Sequence, residues 1–190
     1  MTVLLVRPRR FSDSRGWFTE SWNQTRFESW GITGSFCQDN HSLSRQAGTL
    51  RGLHFQTPPF AQAKLVRCVR GAIFDVAVDL RSASPTYKHW VAAELSAESG
   101  DQLFIPAGYA HGFMTLAADC EVMYKVDAPY APQADGGVIW DDAEIGIDWP
   151  KDYGTPLLSD KDMALPKFAT LDIDFAYDGR PLLSLERIMQ

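Results

Sequence analysis

The sequence has few cysteines, no long apolar run and no block of like charge, and each shortage removes a class of protein. Cys37, Cys68 and Cys120 are scattered and lack CxxC spacing, so neither a disulfide framework nor a zinc knuckle is expected. Reduced thiols in the cytoplasm are the default. The opening MTVLLVRPRRF has only four consecutive apolar residues before Arg7 and Pro8, far short of a signal segment or a membrane span. A net charge of −6, with no basic face in prospect, argues against nucleic-acid binding, although a few local cations suffice for a small anionic ligand. No repeat, low-complexity tract or linker interrupts the 190 residues, so residues 1–190 are expected to form a single domain.

What is present is strand-like. Segments such as RGLHFQ, AKLVRCV and AIFDVAVDL alternate or run apolar, and Pro-Pro and Arg-Gly break them. Strands are expected at about 48–56, 63–70, 72–80, 89–96, 102–105, 112–116 and 120–127, with a short one at 2–6. The spacing of Trp22, Phe27 and Trp30 before Gly31 suits one short helix, and LSDKDMALPKF suits a helical turn. Gln38, Asp39, Asn40 and His41 form a polar cluster that reads either as a turn or as ligand contacts. Many short strands and little helix predict a mainly β protein, a sandwich or jelly-roll barrel with a few short helices. The aromatics, 12% of the chain, fill such a core and also suit a flat ligand.

One segment names an architecture. Gly100 to His111, GDQLFIPAGYAH, fits the G-x5-P-x-G-x2-H half of the cupin signature, which implies a cupin-type double-stranded β-helix. The other half is usually G-x5-H-x-H-x3,4-E. Gly48 and His54 are spaced for it, but Gln56 replaces the second His and no Glu occurs from 55 to 93. A cupin metal is held by several His and a carboxylate, and His54 with His111 is too small a set. No metal is therefore expected. His54 becomes a candidate proton acceptor, since an ordinary imidazole titrates near pH about 6.5.

Further residues carry a closer resemblance. RGLHFQ, QAKLVRCVRG, FDVAVDLR, SPT, PAGYAHGF, Tyr124-Lys125, YAPQADGG and IGIDWP, in that order across Phe11 to Asp162, resemble the dTDP-4-dehydrorhamnose 3,5-epimerase family. The resemblance implies epimerisation at C3 and C5 of a dTDP-4-keto-6-deoxyhexose. Both carbons flank the C4 ketone, so their protons are acidic and their removal gives an enolate. A base, an oxyanion stabiliser and an acid on the opposite face are enough, without a nicotinamide cofactor.

The resemblance also assigns roles. His54 matches the base, and Asp162 the carboxylate that orients it, although Ser159 followed by Asp162 is equally a helix-capping pattern. Lys64 matches the cation on the enolate oxygen, against a reading as an edge-guarding strand Lys. Tyr124 matches the acid, a choice over Tyr109 or Tyr130 that rests on the resemblance alone. Arg15, Glu20, Gln38, Asn40, Arg51 and His111 match nucleotide contacts, Tyr130 matches an aromatic that stacks on thymine, and Asp135 stands where the family more often has Glu. The family also implies a homodimer built by strand exchange, for which Val3 to Val6 is a candidate strand.

A regular strand puts residues three apart on opposite faces, so Arg51 and His54 share a pocket only if the backbone is irregular, and Gly52 is where to expect that. Rival functions are a mono-epimerase, a ketoisomerase of related nucleotide sugars, a metal-dependent cupin, or a non-catalytic sugar-nucleotide binding module.

Overall fold

A computed structural model describes residues 1–189. In chain order it runs β1 (Leu4–Arg7), the hairpin β2 (Arg10–Asp13) and β3 (Gly16–Thr19), helix α1 (Gln24–Ser29), β4 (Gln38–Ser44), β5 (Leu50–Gln56), β6 (Lys64–Arg70), β7 (Ala72–Asp79) and β8 (Trp90–Ser96). It continues with β9 (Gln102–Ile105), β10 (Tyr109–Thr115), β11 (Cys120–Val126), β12 (Asp135–Gly137), helix α2 (Asp160–Met163) and β13 (Glu186–Met189). A six-stranded sheet in the order β13-β1-β9-β6-β11-β4 faces a five-stranded sheet in the order β12-β5-β10-β7-β8. This is the expected jelly-roll barrel with short helices.

The core follows from the two-residue period of a strand. On β7, Ile73 and Ala77 enter the core between the sheets, whereas Val76 and Val78 pack outward under the segment that carries Val138, Trp149 and Phe168. Both faces are covered, which is why β7 reads as an almost unbroken apolar run. The same parity aims Asp75 into the barrel. Val66 and Cys68 on β6, Tyr109 and Phe113 on β10, and Val122 on β11 share the inner core. Lys64, His111 and Tyr124 lie in phase with them, so the strands that build the core also deliver polar groups to its open end. A third cluster, with Leu4, Phe27 and Phe104, seats α1 on the outer face of the six-stranded sheet.

Two expectations are corrected. Residues 38–44 form a strand, β4, rather than a turn, because they pair antiparallel with β11 through the full register Gln38↔Val126 to Ser44↔Cys120. Their polarity comes from position at a sheet edge beside a cavity. Within the chain β1 pairs with β9 on one side and β13 on the other. The expected strand at 112–116 begins earlier, at Tyr109.

The irregularity expected at Gly52 is present. The β10–β5 register runs His111↔His54 but Phe113↔Arg51, a shift between His111 and Phe113. Gly52 has φ +122°, and a Cβ there would lie 2.5 Å from Gly112 Cα. Only glycine fits a backbone that close in that conformation.

Candidate active site

Arg51, His54 and Gln56 from β5 join Lys64 from β6, His111 from β10 and Tyr124 from β11 around a cavity of about 470 Å³. Gln38 and Asn40 from β4, Tyr130 from the β11–β12 connection, Asp135 from β12, and Lys161 and Asp162 from α2 also line it. That volume lies in the range of small-molecule sites. His54 belongs to the five-stranded sheet and Tyr124 to the six-stranded sheet, so the two stand on opposing walls.

His54 Nε2 lies 2.7 Å from Asp162 Oδ1, and His54 Nδ1 has no partner among the described residues. Asp162 is nearly buried and is the third residue of an α2 that Ser159 caps. The Ser159 hydroxyl donates to Asp162 Oδ2 at 2.8 Å and accepts from the Asp162 amide at 3.1 Å. Capping and contact with histidine are therefore both real, one oxygen for each. Burial opposes ionisation of Asp162, but His54 and Ser159 outweigh it and hold the carboxyl below its usual range.

Lys64 is buried, and its Nζ meets the His54 carbonyl at 3.4 Å. Burial lowers its pKa to about 8, against the opposing pull of Asp75 and Asp135. A lysine so placed is poised to lose its charge, and an anion arriving nearby would restore it. Behind it, fully buried Asp75 accepts a 2.7 Å hydrogen bond from His111 Nε2, and its other oxygen has no partner among the described residues. Burial keeps His111 below the usual imidazole range despite Asp75. Tyr124 is half-buried and its phenol is raised, by burial first, with Arg51 opposing and Asp135 adding.

Elsewhere in the lining, Gln38 donates to Asn40 at 2.8 Å, and Arg51 donates to Ser44 Oγ and to the Leu43 carbonyl, both at 3.2 Å. The Tyr130 hydroxyl donates to Asp135 Oδ2 at 3.0 Å, and Lys161 pairs with the same oxygen. Arg15 and Glu20 do not join. Arg15 caps the β2–β3 turn against Asp13, and Glu20 pairs with Arg26 beside α1.

The sequence reading missed Lys161 and Asp75. Lys161 was legible as the neighbour of Asp162 in SDKD, and Asp75 as the lone charge within the apolar AIFDVAV. Among the described residues no group of three or more His, Cys, Asp or Glu is arranged to hold a metal. Gln56, at the position of a cupin ligand, spends its amide on the chain: Nε2 donates to the carbonyls of Phe60 and Pro129, and Oε1 accepts from the Ala131 amide.

Residues 1–170 match the family described as dTDP-4-dehydrorhamnose 3,5-epimerase. The chain belongs to that family. It is 56% identical over 175 residues to the dTDP-4-dehydrorhamnose 3,5-epimerase of Sinorhizobium fredii, covering 92% of this chain and 89% of that one. Among solved structures, the Bacillus anthracis epimerase with TDP and PPi bound is 53% identical with a TM-score of 0.85, over 87% of this chain and 93% of that one. The Legionella pneumophila epimerase in complex with dTDP-4-keto-L-rhamnose is 40% identical with a TM-score of 0.88, over 92% and 94%. The chain is thus an isomerase of the epimerase class on a cupin-like barrel.

Proposed function

We propose that this cavity epimerises C3 and C5 of a dTDP-4-keto-6-deoxyhexose, with His54 as base, Lys64 at the enolate oxygen and Tyr124 as acid. The observation that carries it is the arrangement of His54, backed by Asp162, on one wall and Tyr124 on the other, with buried Lys64 beside His54. The His54 imidazole takes the proton from the carbon next to the ketone, and the C–H electron pair moves into an enolate whose oxygen lies against the Lys64 ammonium. The Tyr124 hydroxyl gives its proton to the opposite face of the same carbon, inverting it. Exchange with water returns a proton to Tyr124 and removes one from His54, and the cycle repeats at the second carbon.

Asp162 holds the ring of His54 in place and stabilises its imidazolium form. Arg51 and Lys161 supply donors for the diphosphate, and Tyr130 a face for the thymine. Gln38, Asn40, His111 and Asp135 contact the remainder. The substrate class follows the relatives, one of which is solved with dTDP-4-keto-L-rhamnose. Turnover in D2O with detection of label at each carbon tests the scheme. Deuterium is expected at both C3 and C5, and label at C3 alone would make the enzyme a mono-epimerase.

Residues 1–190 act as one cupin-type domain, working as a homodimer. Arg15 and Glu20 match substrate contacts by resemblance yet lie outside their own chain's cavity. Arg15 lies in the turn, and Glu20 just after the end, of a hairpin whose Phe11, Trp17 and Phe18 are 51%, 57% and 69% exposed, which suits delivery to a second copy. The free thiols of Cys37, Cys68 and Cys120 fit a reducing cytoplasm, and no described helix is long and apolar enough to cross a membrane.

A further inference from the structure

The segment 128–131, which connects β11 to β12 and carries Tyr130, has no strand or helix of its own to hold it. Its backbone polar groups are instead taken up one after another by glutamine side chains. Gln62 Nε2 donates to the Ala128 carbonyl at 2.6 Å, and Gln56 Nε2 donates to the Pro129 carbonyl at 3.2 Å. Gln38 Oε1 accepts from the Tyr130 amide at 3.2 Å, and Gln56 Oε1 accepts from the Ala131 amide at 2.8 Å. Four consecutive residues are thus each held by one side-chain bond, from three glutamines on β4, on β5 and just before β6.

We propose that Gln56, with Gln62 and Gln38, is a positioning clamp that pre-sets Tyr130 for stacking on the nucleotide base, and so determines nucleotide affinity rather than the chemical step. The inference rests on the reading of Tyr130 as the stacking residue. Glutamine suits the task because one uncharged amide supplies a donor and an acceptor, and the loop offers two carbonyls, at 128 and 129, followed by two amides, at 130 and 131. Gln56 is the centre of the clamp: it is buried, two of its bonds tie Pro129 and Ala131, on either side of Tyr130, to β5, and its Nε2 also donates to the Phe60 carbonyl at 2.7 Å. The Tyr130 ring itself stays exposed, with its hydroxyl bonded to Asp135, so the backbone restraint fixes the root of the ring. Holding a contact group in its bound position before the ligand arrives raises affinity by removing the ordering cost from binding.

The test measures the dTDP dissociation constant by calorimetry, together with kcat and KM, for wild type, Gln56→Leu, Gln62→Ala, Tyr130→Ala and the Gln56→Leu/Tyr130→Ala double variant. Tyr130→Ala is expected to weaken dTDP about tenfold or more, in line with loss of one aromatic stack. Gln56→Leu is expected to weaken it about five- to tenfold, raise KM in proportion and leave kcat within about twofold. In the Tyr130→Ala background Gln56→Leu should then weaken binding by no more than about twofold, because the clamp acts through that ring. Gln62→Ala, which removes a single half-buried contact, should shift dTDP binding in the same direction by less, and carries the test if Gln56→Leu does not fold. Full multiplicative effects in the double variant, or unchanged affinity in Gln56→Leu when Tyr130→Ala is weakened, overturn the clamp alone. Unchanged affinity in Tyr130→Ala overturns the stacking reading and the clamp with it.

Discussion

Asp162 uses its two oxygens for two tasks, and they can be separated. Ser159→Ala keeps the carboxylate but removes its tether and the cap of α2, for about 0.5–2 kcal/mol of stability. Asp162→Asn keeps the side-chain shape and removes the charge opposite His54. Asp162→Asn is expected to lose about 10²–10⁴ in kcat with dTDP affinity retained, whereas Ser159→Ala should lose less, as single-turnover rates and calorimetry will show. At Lys64 function and stability oppose each other. An ordinary lysine stays charged to about pH 10.4. With the folded-state pKa near 8, the unfolded chain binds the proton more tightly between those values, so stability should rise with pH across that window. Lys64→Met should therefore be more stable by about 1–3 kcal/mol in urea at pH 7, yet lose about 10²–10³ in kcat. In the active enzyme Lys64 carries its charge below about 8 and loses it as pH rises through that value. Asp75→Asn removes a charge that supports Lys64, so the alkaline limb of kcat/KM should move to lower pH. An unmoved limb would show that Asp75 serves His111 alone.

At the scale of elements, the sheet delivers its chemistry through parity and one bulge. Gly52→Ala would drive a Cβ to within 2.8 Å of the His111 carbonyl and 2.5 Å of Gly112 Cα, in a conformation that side chains resist. The variant should lose stability by about 2–4 kcal/mol in urea unfolding and lose activity, because Arg51 and His54 would no longer face the same cavity. That bulge was legible beforehand, since a three-residue spacing and a shared pocket conflict on a flat strand. Most strands were legible too, because covered sheets write apolar runs and Pro or Gly marks their ends. β4 was not, because its alternation is hidden when its inner face, Gln38, Asn40 and Ser42, borders a wet cavity instead of a core. The hydrophobic period is a record of burial, and a strand that lines a binding site carries little of it.

Across the whole molecule, the residues that meet in the cavity are spread from Gln38 to Asp162, and only the barrel brings them together. The resemblance supplied their roles, while local patterning supplied just His54 and the cupin turn before His111. Long-range pairs such as Asp75 with His111, or Lys161 with Asp135, have no local signature because nothing near either residue in the chain marks its partner. The proposed dimer belongs to this scale. Sedimentation of wild type should give twice the chain mass, and Trp17→Glu with Phe18→Glu should give monomers that lose activity although His54, Lys64 and Tyr124 are untouched. A fully active monomer would leave Arg15 and Glu20 without a part in the reaction.

The docking of the C-terminal segment has a consequence for how activity is born. Leu50 donates to the Leu157 carbonyl at 2.9 Å and Leu157 donates to the Gly48 carbonyl at 3.0 Å, stitching residue 157 to the strand that carries His54 just before Asp162 arrives. During synthesis the barrel strands through β12 leave the ribosome first. A nascent chain up to that point holds His54, Lys64 and Tyr124 but not Asp162. Asp162 is thus the last of the cavity's lining residues to be synthesised.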